Sequence, residues 1–341
     1  VTDAVTRTGT GAPAGGARSG RAAGGPGTAP QTDGRDGSAP PRPSSPVRNA
    51  PRRRRRSLVA YLYVLPAFLV FAVFLGWPFL QTVQYSFYDW DGLSPATWAG
   101  LANYASVFTD TELRGAFGHA LVLMVFYSVV PVAIALFLTA LISRANALKG
   151  MSFFRTVLFL PQVIASVVVA TIWVSLYSTD GLVNEVLRAI GLGSLARVWL
   201  GDYSTALVAI GFVGTWLNVG LCLVLFLSGV GNIQPTLFEA ARLDGAGPAR
   251  EFSSITLPSL RGQIAVALTL TIVSALKTFD LVYITTGGGP GNSTTVPAFE
   301  AYNRAFNTGQ VGSAAAVAIA LTVVIMIVTA LINRLQPKDA E

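Results

Sequence analysis

The sequence predicts an all-α integral membrane protein, a single bundle of six transmembrane helices with both termini on the cytoplasmic side. Three observations predict it. Of the 341 residues, 52% are apolar and only 12% are charged, against about 25% charged in an average soluble domain. Too few charges exist to solvate a globular surface. Six apolar segments fall at roughly 58–80, 119–142, 153–177, 205–230, 264–286 and 313–335. Each approaches or exceeds the ~20 residues a helix needs to cross ~30 Å of hydrocarbon. Finally, Lys and Arg are distributed unevenly between the short loops. With the N-terminus inside, thirteen lie on the cytoplasmic side and four outside, namely Arg114, Arg188, Arg197 and Arg304.

Residues 1–56 read as a disordered basic cytoplasmic tail, and residues 57–341 as the six-helix domain. Up to residue 51 the tail has no Leu, Ile, Phe, Trp or Tyr, so it cannot bury enough apolar area to offset its conformational entropy. It holds eleven Arg and three Asp, which accounts for the whole net charge of +7. The basic balance therefore describes no nucleic-acid-binding face. The run Arg52–Arg56 reads as a topogenic anchor beside the first span, with a membrane-surface or nucleic-acid patch as the alternative.

One cysteine, Cys222, and one histidine, His119, exclude an intrachain disulfide and the cysteine and histidine metal patterns. No Gly, four residues, Gly-Lys-Ser/Thr run occurs, so ATP hydrolysis is not expected of this chain. His119 reads as a polar boundary residue at the outer start of span two, and Cys222 as a small packing residue in span four. The outer loops are acidic and carry aromatics, among them Trp90, Trp98, Tyr104, Tyr177, Trp199 and Tyr302, most of which read as an interfacial belt.

Polar side chains inside a membrane are costly and face the bundle or a wet path. Span four carries Thr215, Trp216 and Asn218. Span five carries Thr271, Ser274 and Thr278, which with Ala275 fall at i, i+3, i+4 and i+7 on one helical face. Such hydroxyls also serve as ordinary helix–helix contacts. Apart from Arg155 and Arg334 near span ends, Lys277 and Asp280 are the only charges inside an apolar span. At i, i+3 they can pair on one helix, as a structural pair or a vestibule contact, with a proton relay as the alternative. Small residues at Ser166 and Ala170, and at Ala314 and Ala318, permit close helix packing.

The loop 231–262 reads as a short helix between spans four and five. Pro235 suits a first turn, Glu239 to Leu243 are mostly good helix formers, and Gly245 is placed for a left-handed cap. Pro248 opens a second short helix, and Pro258 interrupts the chain before span five. Ala240 and Ala241 present a small surface, with Phe238 and Leu243 as apolar contacts.

Glu239-Ala240-Ala241, three residues, Gly245, nine residues, then Ile255-x-Leu257-Pro258 resembles the EAA motif of binding-protein-dependent ABC importer permeases. The stretch Thr286-Gly287-Gly288-Gly289-Pro290 after span five is similar to the sugar-importing branch, which includes the maltose and glycerol-3-phosphate permeases. The likeness spans roughly residues 58–336. It implies the type I ABC importer permease fold in a bacterial plasma membrane, working by alternating access and without covalent chemistry. It also implies that the loop is a coupling helix seated on an ATPase subunit through Glu239, Ala240, Ala241, Asp244, Gly245 and Pro258. The implied partners are a second homologous permease, two cytoplasmic ATPases, an extracytoplasmic sugar-binding protein and membrane lipid. ATP and magnesium belong to the ATPases, and no cofactor is implied for this chain. By the same resemblance, a sugar, in particular an oligosaccharide, would sit against Trp216, Leu217, Asn218, Ser274 and Thr278. Asn218 stands where the maltose permease has Gly. Glycerol-3-phosphate or another solute is the alternative cargo, and an ion-coupled transporter using Lys277 and Asp280 is the alternative mechanism.

Overall fold

The computed structural model of the protein describes residues 58–144 and 151–335; the tail expected over residues 1–56 lies outside the described residues. Four helices are long and apolar enough to cross a membrane: Tyr63–Tyr85, Thr111–Ile142, Ala206–Gly231 and Val311–Arg334. Two bent pairs pass the same test, Arg155–Val163 with Ser166–Leu176 and Pro248–Ser259 with Arg261–Leu276.

The stretches expected as the third and fifth spans are therefore not straight rods. In the third, the two halves meet at 103°. Pro161 lies near the end of the first half and has no N–H to continue the helical ladder. Ala165 then adopts an extended ψ of 136° before the chain re-enters a helix at Ser166. In the fifth, the helix Arg261–Leu276 stops at Lys277, whose ψ is 3°. A short helix, Asp280–Thr285, resumes after Phe279 at φ −132°. The ring of Phe279 lies within 6.4 Å of the rings of Tyr283, Phe299 and Tyr302, centroid to centroid. This ring cluster forms at the interruption, where the apolar pattern alone would continue the helix.

Span four, Ala206–Gly231, is the axis of the core. Apart from the buried Thr215 and Asn218 it is largely apolar on all sides, as suits a helix buried in a membrane bundle. Its Ile210, Val213, Cys222, Leu223 and Phe226 are buried. Glycines let its neighbours approach closely: a Cβ on Gly220 would collide with the backbone carbonyl of Leu158 in span three. Small residues at such contacts are the usual membrane solution. Span one is the opposite case. It contains Pro66 and a π turn at Ala72–Gly76, and none of its residues from Tyr63 to Tyr85 is buried.

At the end of the bundle where span two begins, a two-stranded antiparallel hairpin pairs Tyr88 with Trp98 and Asp89 with Thr97. Asp110 caps span two by accepting from the Glu112 amide at 2.8 Å. Arg304, buried on the helix Pro297–Phe306, donates to Glu300 at 2.8 Å, to Asp110 at 2.5 Å and to Ser313 at 2.9 Å. Burial alone would raise the Asp110 carboxyl. The hydrogen bond and charge of Arg304 and the amide of Glu112 together hold it below its usual range. His119 lies half-buried with Nδ1 2.9 Å from the Thr295 carbonyl, so this boundary residue also ties span two to the loop after span five. Asn184 is buried. Its amide donates to the carbonyls of Ser178, Thr179 and Arg197, and its oxygen accepts from Trp199 Nε1 at 2.9 Å.

Candidate functional site

The two broken spans bring a group of polar side chains together on an open face of the bundle, where Ser274, Lys277 and Asp280 are exposed. A helix interrupted at membrane depth frees backbone and side-chain polar groups, which is tolerated only where they are buried or line a cavity. Here a cavity of about 420 Å³ opens between the breaks, lined by Tyr127, Ser166, Leu217, Ser274, Lys277, Thr278 and Asp280. Ser166, the first residue after the break in span three, donates to Asp280 Oδ2 at 2.6 Å. Lys277 and Asp280 flank the break in span five. The helical i, i+3 pairing expected for them does not form, because no single helix carries both, and no ion pair joins them among the described residues. The cavity thus presents an ammonium, a carboxylate and several hydroxyls side by side.

Of the five residues expected to hold solute, Leu217, Ser274 and Thr278 line this cavity. Trp216 and Asn218 do not. Consecutive helical residues point about 100° apart, so 216, 217 and 218 cannot share one wall. Trp216 turns outward to an apolar groove with Ile134, Pro161 and Phe212, its ring edge-on to Trp173 at 5.6 Å. Asn218 is buried and donates to the Gly214 carbonyl at 2.8 Å. Tyr127 and Ser166 were not among the expected site residues. Ser166 carried a signal in its place just after Pro161; Tyr127 had none, because its position depends on how spans two and four cross.

The second candidate region is the loop after span four. Pro235–Leu243 is a helix with Pro235 at its first turn. Gly245 sits at φ +77°. The Ala246 amide bonds the Ala241 carbonyl at 2.9 Å and the Gly245 amide bonds the Arg242 carbonyl at 3.1 Å, the paired closure of a Schellman cap. Arg242 reaches back to Glu251 of the following short helix at 3.1 Å. Glu239, Ala240 and Asp244 are exposed and Ala241 is half-buried. Leu237 and Leu243 are also exposed, Leu243 by 89%. Phe238 faces inward, over a cavity of about 360 Å³ between the helix and the bundle. Pro258 lies in the last turn before the 68° bend into span five. The helix therefore displays Leu237, Glu239, Ala240, Leu243 and Asp244 and is tethered chiefly through Phe238 and Arg242.

Residues 121–339 match the family model described as binding-protein-dependent transport system inner membrane component. The chain is 37% identical over 290 residues to the probable ABC transporter permease protein YurN of Bacillus subtilis, covering 83% of this chain and 96% of that one. It is 32% identical over 313 residues to the diacetylchitobiose uptake system permease protein NgcF of Streptomyces coelicolor, covering 86% and 89%. Its fold is similar to that of a bacterial alginate ABC transporter crystallised in complex with an alginate pentasaccharide-bound periplasmic protein. That likeness has a TM-score of 0.68 at 23% identity, over 82% of this chain and 94% of that one. The bundle of broken and unbroken spans and the capped loop helix are thus parts of an ABC importer permease, a transport subunit and not an enzyme: the chain belongs to the family of binding-protein-dependent transport system inner-membrane components.

Proposed function

We propose that this permease carries a sugar, in particular an oligosaccharide, and that the cavity between the breaks of spans three and five is its station in the membrane. The observation that carries the reading is the lining: hydroxyls from Ser166, Ser274 and Thr278 beside Lys277 and Asp280. A polyol needs closely spaced donors and acceptors, and those groups supply both. The ammonium and the carboxylate balance in charge, which suits an uncharged sugar better than a phosphorylated solute. The diacetylchitobiose permease among the relatives supports the same class.

In this reading the Lys and Arg bias sets both termini in the cytoplasm, so the Pro235–Leu243 helix faces that side. Glu239, Ala240, Ala241, Asp244, Gly245 and Pro258 form or support the contact with one of two ATPase subunits. A second homologous permease completes the pathway, and an extracytoplasmic sugar-binding protein delivers the solute. Closure of the ATPases moves the loop helix, and the breaks in spans three and five let the bundle switch the face to which the cavity opens. A ligand shifts such an equilibrium only through its different affinity for the two states, so the membrane site binds weakly.

The test is ATP-driven uptake in proteoliposomes containing the permease pair, its ATPases and binding protein, with Glu239→Lys beside the wild type. Uptake that needs ATP and collapses in an assembled Glu239→Lys complex supports the coupling role. Uptake driven by an ion gradient alone, and unchanged by the substitution, sinks it and returns Lys277 and Asp280 to the ion-coupled reading.

A further inference from the structure

In an unbroken α-helix the Phe126 carbonyl would accept from the Val130 amide. The π turn over Val125–Val129 sends that amide to the Val125 carbonyl instead. In the π register the partner of Phe126 would be residue 131, which is Pro131 and has no N–H. The Phe126 carbonyl is thus left without a backbone donor at a depth where lipid offers none. Thr215 of span four supplies one: its hydroxyl donates to that carbonyl at 2.6 Å and lies 3.2 Å from its own Gly211 carbonyl. The surface around Thr215 is cut away to admit the π turn. A Cβ on Gly211 would meet the Phe126 ring at 2.6 Å, and one on Gly214 would fall within the Tyr127 ring.

The next residue in the π turn is Tyr127, which is buried and lines the polar cavity. Its hydroxyl has the Thr278 side chain as a polar neighbour but makes no hydrogen bond of normal geometry among the described residues. A buried hydroxyl without a partner is costly unless something else occupies the position. We infer that Thr215 is a positioning residue: by holding the Phe126 carbonyl it fixes the π turn that presents the Tyr127 hydroxyl to the translocated sugar as a hydrogen-bond partner. The inference rests on the reading of the cavity as the solute site, and it adds one contact residue and the residue that aims it.

The experiment uses the assembled transporter in proteoliposomes with saturating binding protein. Maltose, trehalose and diacetylchitobiose are the probes, and the fastest wild-type solute is followed. Thr215→Val keeps the side-chain shape and removes the donor; Thr215→Ser keeps the donor. Uptake per assembled complex is expected to fall about tenfold in both Thr215→Val and Tyr127→Phe. Thr215→Ser is expected to stay within about twofold of wild type, and the double variant to be no worse than either single one, since both act through one hydroxyl. A 4-trifluoromethylphenylalanine at position 127 gives a second readout, independent of solute. Its fluorine resonance is expected to be single in the wild-type and Thr215→Ser backgrounds and split or shifted in Thr215→Val. Should Thr215→Val fail to assemble, Thr215→Ala replaces it.

Equal uptake in Thr215→Val and Thr215→Ser, an unmoved fluorine resonance, or single effects that multiply in the double variant would each overturn the inference. Ser274→Ala and Asp280→Asn separate it from the reading beneath it. If these leave uptake at wild type, the cavity is not the solute site. If they lower uptake while Tyr127→Phe does not, only the present inference falls.

Discussion

The hydroxyl of Ser166 donates to the carboxylate of Asp280 across 2.6 Å, and in doing so joins the break in one membrane span to the break in another. Neither residue sits in a continuous helix interior: each is the first residue of a helix that resumes after an interruption. A bond to a charged partner contributes roughly 1.5–3 kcal/mol. Ser166→Ala is therefore expected to lower uptake by about tenfold or more through loss of the geometry of the cavity, and Asp280→Asn to do the same. Ser166→Thr retains the donor and is the control. Wild-type uptake by an assembled Ser166→Ala complex would remove the bond from the mechanism.

Gly245 offers a cleaner test of the loop helix. Its φ is +77°, and a Cβ there would meet nothing within 4 Å. The cost of Gly245→Ala is thus backbone strain alone, about 1–2 kcal/mol. The Schellman closure at Ala246 loosens, and the last turn, with Arg242 and Leu243, frays. Co-purification with the ATPase is expected to weaken by about fivefold or more, while the melting temperature of the isolated permease barely moves because the helix is exposed. Unchanged co-purification would mean that the cap is not needed for docking.

The Arg304 network sets stability at the other end of the bundle. Removing one partner from a buried ion pair costs about 3–5 kcal/mol. Arg304→Met, which strands Glu300 in a buried site, is expected to lower Tm in detergent markedly. The pH dependence has a fixed sign. The Asp110 carboxyl is held below its ordinary value of 3.8, so its contribution is fully present above that value and is lost as pH falls through the lower folded value. Tm is expected to show that acid-side loss in the wild type, and less of it in Asp110→Asn. An identical acid limb in both proteins would assign the loss to other carboxylates.

Two glycines distinguish packing from propensity. Gly220→Ala drives a methyl group into the Leu158 carbonyl and is expected to separate spans three and four and abolish assembly. Gly115, in the helix Thr111–Met124, faces open space. Gly115→Ala is expected to be neutral or to stabilise by about 0.5–1 kcal/mol. Thermal unfolding of both variants reads the contrast, and a folded Gly220→Ala protein would show that the helices can part without loss.

What the sequence disclosed, and what it withheld, follows from the range of the interactions. The loop helix was legible because its signals are local: Pro235 opens it and Gly245 closes it. The breaks were half legible. Pro161 lies beside one, but the interruption at Lys277–Phe279 contains no Pro or Gly to signal it, and the rings of Tyr283, Phe299 and Tyr302 that gather on Phe279 there are residues that hydropathy counts as ordinary membrane or loop aromatics. For the same reason the i, i+3 pairing of Lys277 with Asp280 looked natural on a helix that does not exist there. In the cavity, Leu217, Ser274 and Thr278 followed from one helical face and one resemblance. Trp216 and Asn218 lie outside this cavity because adjacent residues on a helix diverge. Tyr127 was invisible, since only the crossing of spans two and four aims it.

Span one carries a different kind of information. None of its residues from Tyr63 to Tyr85 is buried, and it turns large apolar side chains outward, Phe68, Phe71, Phe74 and Trp77 among them. A segment so placed is held chiefly by the hydrocarbon around it. Exchanging one oily side chain for another there alters little that the bundle can register, whereas the same exchange in span four is felt at once.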